Sequence, residues 1–278
     1  MSSPPEISTV LLIGASRGLG FAIAAEYLER EVTVVATVRG VGRTALHDLQ
    51  DAARGRLEVE NVDINAPQEV RALRNRLAGR TFDLLFVNAG VTNAPEETSD
   101  DVSTDEFTRL MVTNALSPMR VIESLGDLVD RHGTIAIMSS GQASIANNER
   151  GGFEIYRGTK AALNMFMRSY AARHRSDPRT LLLMAPGWVK TRLGGPSARL
   201  TIDESIPTSS RLSTPSMDAA GFTTSTIAER LSPGEQQNLT APRSEFLTHM
   251  VHRAWVGDRR ATESDPGSLR SERPSPVR

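Results

Sequence analysis

Tyr156 and Lys160 stand four residues apart in the run Tyr156-Arg157-Gly158-Thr159-Lys160-Ala161-Ala162-Leu163-Asn164. On a helix this spacing sets a phenol and an ammonium on one face, where the positive charge favours the phenolate and makes the hydroxyl a proton donor near neutral pH. Such a pair also arises on solvated helix faces, so its meaning depends on its company. Gly14-Ala15-Ser16-Arg17-Gly18-Leu19-Gly20 follows the aliphatic run Val10-Leu11-Leu12-Ile13 and opens a helical one. Glycines at such a turn let the backbone approach a pyrophosphate, whose charge is favoured at a helix N-terminus. The next strand ends Ala36-Thr37-Val38-Arg39, without the carboxylate that would take the ribose 2′-hydroxyl of NAD. Arg39 and Arg17 instead offer two guanidinium forks to a 2′-phosphate, which favours NADP(H) over NAD(H).

These groups need elements to hold them. Strand-like runs at 10–13, 32–38, 57–62, 84–88, 133–139 and 181–185 alternate with helical patterns at 19–30, 43–54, 67–78, 104–130 and 154–174. Near-continuous apolar strands between helices imply an α/β fold, a Rossmann-type doubly wound parallel sheet covered on both faces. In such a sheet ligands bind beyond the carboxyl ends of the strands, where Asn88-Ala89-Gly90 and Ser139-Ser140-Gly141 also fall. The expected domains are a short N-terminus over 1–8, one Rossmann domain over 9–205 with the catalytic residues inside it, and an irregular tail over 206–278. Pro207 to Gly221 is rich in Ser, Thr, Pro and Arg, and no clear seventh strand is legible after it. A one-nucleotide frameshift between about Ser205 and Thr223 would account for such a loss of apolar periodicity. A short helix is expected over 243–256.

Composition excludes several classes. A net charge of −1 gives no basic field for nucleic acid or an anionic membrane. The absence of cysteine removes disulfides, thiolate metal sites and a cysteine nucleophile. Met1 to Glu6 lacks the basic start and apolar run of a signal peptide, and no run is long enough to span a bilayer, so a cytoplasmic protein is expected. His249 and His252 lack nearby acidic or cysteine ligands, and no metal site is expected.

Taken in order over 9–205, the glycine loop, Asn88-Ala89-Gly90, Asn114, Ser140, Tyr156-Lys160 and Pro186-Gly187 resemble the short-chain dehydrogenase/reductase family. Tyr156 to Asn164, Pro186-Gly187-Trp188-Val189-Lys190-Thr191 and Gly194-Gly195 look like its C-factor and sniffer-like carbonyl reductase branch. The resemblance implies a catalytic set of Asn114, Ser140, Tyr156 and Lys160. Tyr156 would be the general acid/base, Lys160 would lower its pKa and bind the nicotinamide ribose, Ser140 would hold the substrate oxygen, and Asn114 a relay water. It also implies a cofactor site of Gly14, Ser16, Arg17, Gly18, Leu19, Gly20, Arg39, Asp63, Asn88, Gly90, Tyr156, Lys160, Val189 and Thr191. Ser139 and Ser144 compete with Ser140, Thr159 replaces a common serine, Ala185 a frequent histidine, and Arg192 an aspartate. The implied activity is NADP(H)-dependent reduction of a ketone or aldehyde, or oxidation of the alcohol. A dinucleotide-binding regulator with little turnover is the alternative. A small-molecule carbonyl or alcohol is the expected partner, and the resemblance admits a homo-oligomer.

Overall fold

Neighbouring residues of the first strand belong to different cores. In β1 (Thr9–Ile13), Leu11 and Ile13 join one hydrophobic cluster and Val10 and Leu12 another, because successive strand side chains project to opposite faces. All four are buried, so both faces must be covered. In the computed structural model of the chain, residues 7–210 and 222–226 are described. The chain continues through α1 (Gly18–Glu29), β2 (Thr33–Val38), α2 (Ala45–Ala52), β3 (Leu57–Asn61), α3 (Pro67–Arg76), β4 (Phe82–Val87), α4 (Thr104–Met111) and α5 (Ser117–Leu125). It then forms β5 (Val129–Met138), α6 (Glu154–Arg173), β6 (Thr180–Ala185), α7 (Ile202–Ser210) and β7 (Phe222–Thr226).

The strands form one parallel sheet in the order β3-β2-β1-β4-β5-β6-β7. The first cluster packs Val70 and Leu73 of α3, Ile122 and Leu125 of α5, and Leu163 and Met167 of α6 against one face. Ile23, Ala24 and Tyr27 of α1, Leu46 of α2 and Ile206 of α7 cover the other. This is the doubly wound arrangement that the strand composition predicts. The order reverses between β1 and β4, which is where such a sheet opens a crevice. Pairing of Ile13 with Val87, Val87 with Ile137, and Met138 with Met184 brings the carboxyl ends of the four central strands level.

Two elements differ from the sequence reading. The single helix expected over 104–130 is divided: α4 passes through a π-helical turn, Val112–Leu116, into α5, and β5 already begins at Val129. Pro118 has no N–H to give the carbonyl four residues back, that of Asn114, so a regular α-helix cannot continue through this point. The expected lack of a seventh strand is also corrected. Phe222–Thr226 pairs with β6 from Leu181↔Phe222 to Ala185↔Thr226. Its aromatic and threonine residues favour extended backbone without an apolar run to announce it. α7 likewise runs past the boundary expected at 205. The helix expected over 243–256, with His249 and His252, lies outside the described residues.

Candidate active site

The glycine loop leaves β1 with no room for side chains. A Cβ on Gly20 would meet the Gly14 carbonyl at 2.1 Å and Asn88 Nδ2 at 2.6 Å, and one on Gly14 would lie 2.8 Å from Ala89. Gly14 has φ +89°, a left-handed conformation that glycine adopts without penalty. Its N–H donates to Thr37 Oγ1 (2.9 Å), and its carbonyl accepts from Asn88 Nδ2 (2.7 Å). Three strands thus clamp the turn. α1 begins directly after it with no acidic residue in its first turn and no side-chain cap, leaving its first N–H groups for an anion. Ser16, Gly18 and Leu19 are half-buried along the loop, while Arg17 and Arg39 are exposed at its rim.

At the end of β5 the geometry separates the three serines. Ser139 is buried and donates to Asn164 Oδ1 (2.6 Å), a structural bond to α6. Ser144 Oγ accepts from Asn147 N (3.3 Å) within its own loop. Ser140 Oγ accepts from Gln142 N (3.1 Å) and hydrogen-bonds the Tyr156 phenol. Tyr156 is 8% exposed; burial pushes its pKa up, and the bond with Ser140 opposes that rise. Lys160 is 3% exposed. Its ammonium donates to the Met138 carbonyl (2.8 Å) and lies 5.9 Å from the Tyr156 ring centroid. Burial lowers its pKa to about 8.

Asn114 is fully buried in the π-helical turn. Its Oδ1 accepts from Val91 N (2.8 Å), while Nδ2 donates to Val91 O (2.8 Å) and Thr159 Oγ1 (3.0 Å). Thr159 passes this on to the Tyr156 carbonyl (2.8 Å). The Asn114 amide therefore ties the strand-end loop to α6. A Cβ on Gly90 would lie 3.4 Å from Asn114 Oδ1 and 3.6 Å from Lys160 Nζ, so position 90 adjoins both groups. Asp63, past the end of β3, accepts from Asn65 N on its Oδ1 (2.9 Å), and its own N–H donates to Glu69 Oε2 (2.7 Å). Val189 is buried, and Thr191 adjoins Gly18 across the crevice mouth.

A family model for short chain dehydrogenases matches residues 8–199. The chain belongs to that family. A short-chain dehydrogenase/reductase of Burkholderia multivorans, solved with bound NADP, is 57% identical with a TM-score of 0.76, the match covering 80% of this chain and 96% of that one. A carbonyl reductase of Pseudomonas aeruginosa, solved in complex with NADP, is 33% identical at TM-score 0.71, with coverage of 80% and 96%. The C-signal protein of Myxococcus xanthus is 35% identical over 140 residues, which cover 49% of this chain and 83% of that protein. These likenesses agree with the branch that the motifs resemble.

Within this dehydrogenase several supporting residues escape sequence reasoning. Thr37 anchors Gly14, Met138 supplies the carbonyl under Lys160, and Val91 grips Asn114. Two of the three act through backbone atoms, which any residue type carries, so no pattern could mark them. Trp188 Nε1 donates to the Gly194 carbonyl (2.8 Å) and closes the turn after β6. Among the described residues, no helix is long and apolar enough to cross a membrane.

Proposed function

We propose that this chain is an NADPH-dependent reductase of ketones or aldehydes, with Tyr156 as the general acid. The observation that carries the reading is the meeting of the Ser140 hydroxyl, the Tyr156 phenol and a buried Lys160 at the end of β5. The dinucleotide fits the residues present: Gly14 and Gly20 let the turn pack tightly against Ala89 and Asn88, and the first N–H groups of α1 have no side-chain cap and no acidic neighbour in that turn. Gly14, Ser16, Gly18, Leu19 and Gly20 would hold the pyrophosphate, Arg17 and Arg39 the 2′-phosphate, Asp63 the adenine, and Asn88 and Gly90 the adenosine ribose. Lys160 would hold the nicotinamide ribose, with Val189 and Thr191 beside the carboxamide. When bound, the nicotinamide supplies or accepts hydride.

The protein's own part is proton handling. Ser140 Oγ orients the substrate oxygen and stabilises the charge that develops on it. Tyr156 Oη gives that oxygen its proton. The phenolate so formed is buried, and the Lys160 charge nearby lessens its cost. With a pKa of about 8 the lysine holds its proton in most molecules at neutral pH. The Asn114 side chain is committed to Val91 and Thr159. In this reading the Asn114 carbonyl, which can take no N–H from Pro118, would hold the relay water.

A regulator that only binds the dinucleotide needs no buried proton donor with a charged neighbour, so the reductase is favoured. NADPH oxidation against a panel of carbonyl compounds tests it. Turnover by the wild type should exceed that of Tyr156→Phe by at least about a hundredfold, the scale of general-acid catalysis. Equal rates in the two proteins refute the reading.

A further inference from the structure

The turn after β6 carries a charge for which the proposed reaction has no use. Its stem is tied: Lys190 N donates to Leu200 O (2.8 Å), and Leu200 N to Trp188 O (2.9 Å). At its tip Thr191 Oγ1 accepts from Gly194 N (3.0 Å), and Thr191 O from Gly195 N (2.8 Å). This tip faces the glycine loop, since a Cβ on Gly18 would lie 3.8 Å from the Thr191 side chain. Arg192 comes next in the chain and is exposed. From Pro178 to Ile202 there is no Asp or Glu to neutralise it. Arg17, also exposed, precedes Gly18 on the opposite side.

A tied turn whose tip meets the glycine loop sets Arg192 close to the start of α1, where uncapped N–H groups already favour an anion, and a guanidinium there adds to that positive potential. We infer that Arg192 is a binding residue for the pyrophosphate of the dinucleotide, gripping from the turn what the glycine loop cradles from below. This rests on the NADP(H) reading above. The pyrophosphate is selected over the 2′-phosphate because Thr191 stands against Gly18 at the start of α1, whereas Arg39 follows the end of β2. A guanidinium also suits two phosphate oxygens at once.

The pyrophosphate is common to both dinucleotides, which gives the test its selectivity. NADPH and NADH are titrated by fluorescence into wild type, Arg192→Gln and Arg39→Ala, at about 50 and about 300 mM salt, between which screening changes substantially. Arg192→Gln should raise the Kd of NADPH and NADH by the same factor, roughly tenfold for one lost charged hydrogen bond, and flatten the salt dependence. Arg39→Ala should weaken NADPH alone. Because Arg192 is exposed, its variant should keep the wild-type unfolding midpoint. Loss confined to NADPH overturns the inference by moving the residue to the 2′-phosphate. Unchanged Kd values with a raised KM for a carboxylate-bearing carbonyl compound overturn it in favour of a substrate contact. Unchanged Kd and KM overturn it outright. Failure of the wild type to bind either dinucleotide refutes the cofactor reading instead.

Discussion

Replacing Lys160 by methionine separates what this lysine costs the fold from what it gives the chemistry. The side chain is 3% exposed, and burial holds its pKa at about 8 against an ordinary 10.5. Between those two values the unfolded chain keeps a proton that the folded chain has released, so stability rises with pH across that window. Below about 8 both states are protonated and the full cost of burying the charge is felt. At 1.36 kcal/mol per pKa unit, that cost is about 3 kcal/mol. By linkage nearly all of it acts at pH 7 and about 2 kcal/mol at pH 9. Lys160→Met has no such cost, but it strips the Met138 carbonyl of its 2.8 Å donor, a loss of about 1–3 kcal/mol that does not vary with pH. The unfolding free energy of the variant relative to wild type should therefore fall by about 1 kcal/mol from pH 7 to pH 9, whatever its absolute value. Urea unfolding of both proteins without dinucleotide measures this, and titrations elsewhere in the chain cancel in the difference. A difference that is flat with pH refutes a lysine depressed by burial. Turnover of carbonyl substrates should be lost in the variant at both pH values.

Two further substitutions probe the frame around the site. Gly20→Ala sets a methyl 2.1 Å from the Gly14 carbonyl, so backbone must move; a stability loss of about 1–3 kcal/mol is expected in urea melts, with NADPH binding weakened more than tenfold in fluorescence titration. Asp83 tests the first strand: burial raises its pKa, but bonds from the N–H and hydroxyl groups of Ser8 and Thr9 to its Oδ2 outweigh this and lower it. A depressed carboxylate stabilises above its unfolded pKa and loses that contribution as pH falls through the folded one, so Asp83→Asn should destabilise at pH 7 by about 1 kcal/mol after solvent screening. The gap from wild type should close in acid, as chemical denaturation at a series of pH values would reveal.

The parallel sheet was legible because its central strands are buried on both faces and so read as unbroken apolar runs. The glycine loop was legible for a related reason: no residue but glycine fits at position 20, and sterics of that kind leave a mark on residue type. β7 left no such mark, because Phe222-Thr223-Thr224-Ser225-Thr226 carries extended propensity without an apolar pattern. The break at Asn114 could have been read from Pro118, four residues on, had the missing N–H been assigned to a particular carbonyl. Instead 104–130 passed as one periodic stretch.

The proposed catalytic groups mark the deeper limit. Ser139 and Ser140 are chemically identical and adjacent, yet one is held by Asn164 and the other meets Tyr156. Which does which follows from where the chain turns as it leaves β5, and residue type carries no record of that. Lys160 presents the opposite case. Its spacing from Tyr156 suggested a charged neighbour of ordinary lysine character, acting directly on the phenol. The fold instead buries it over the Met138 carbonyl with Gly90 close by. The consequence is an ammonium whose pKa is lowered to about 8, and whose charge responds to pH where a surface lysine would not. The residue pair could be found by spacing, but its chemistry depends on burial contributed by residues as far away as positions 90 and 138.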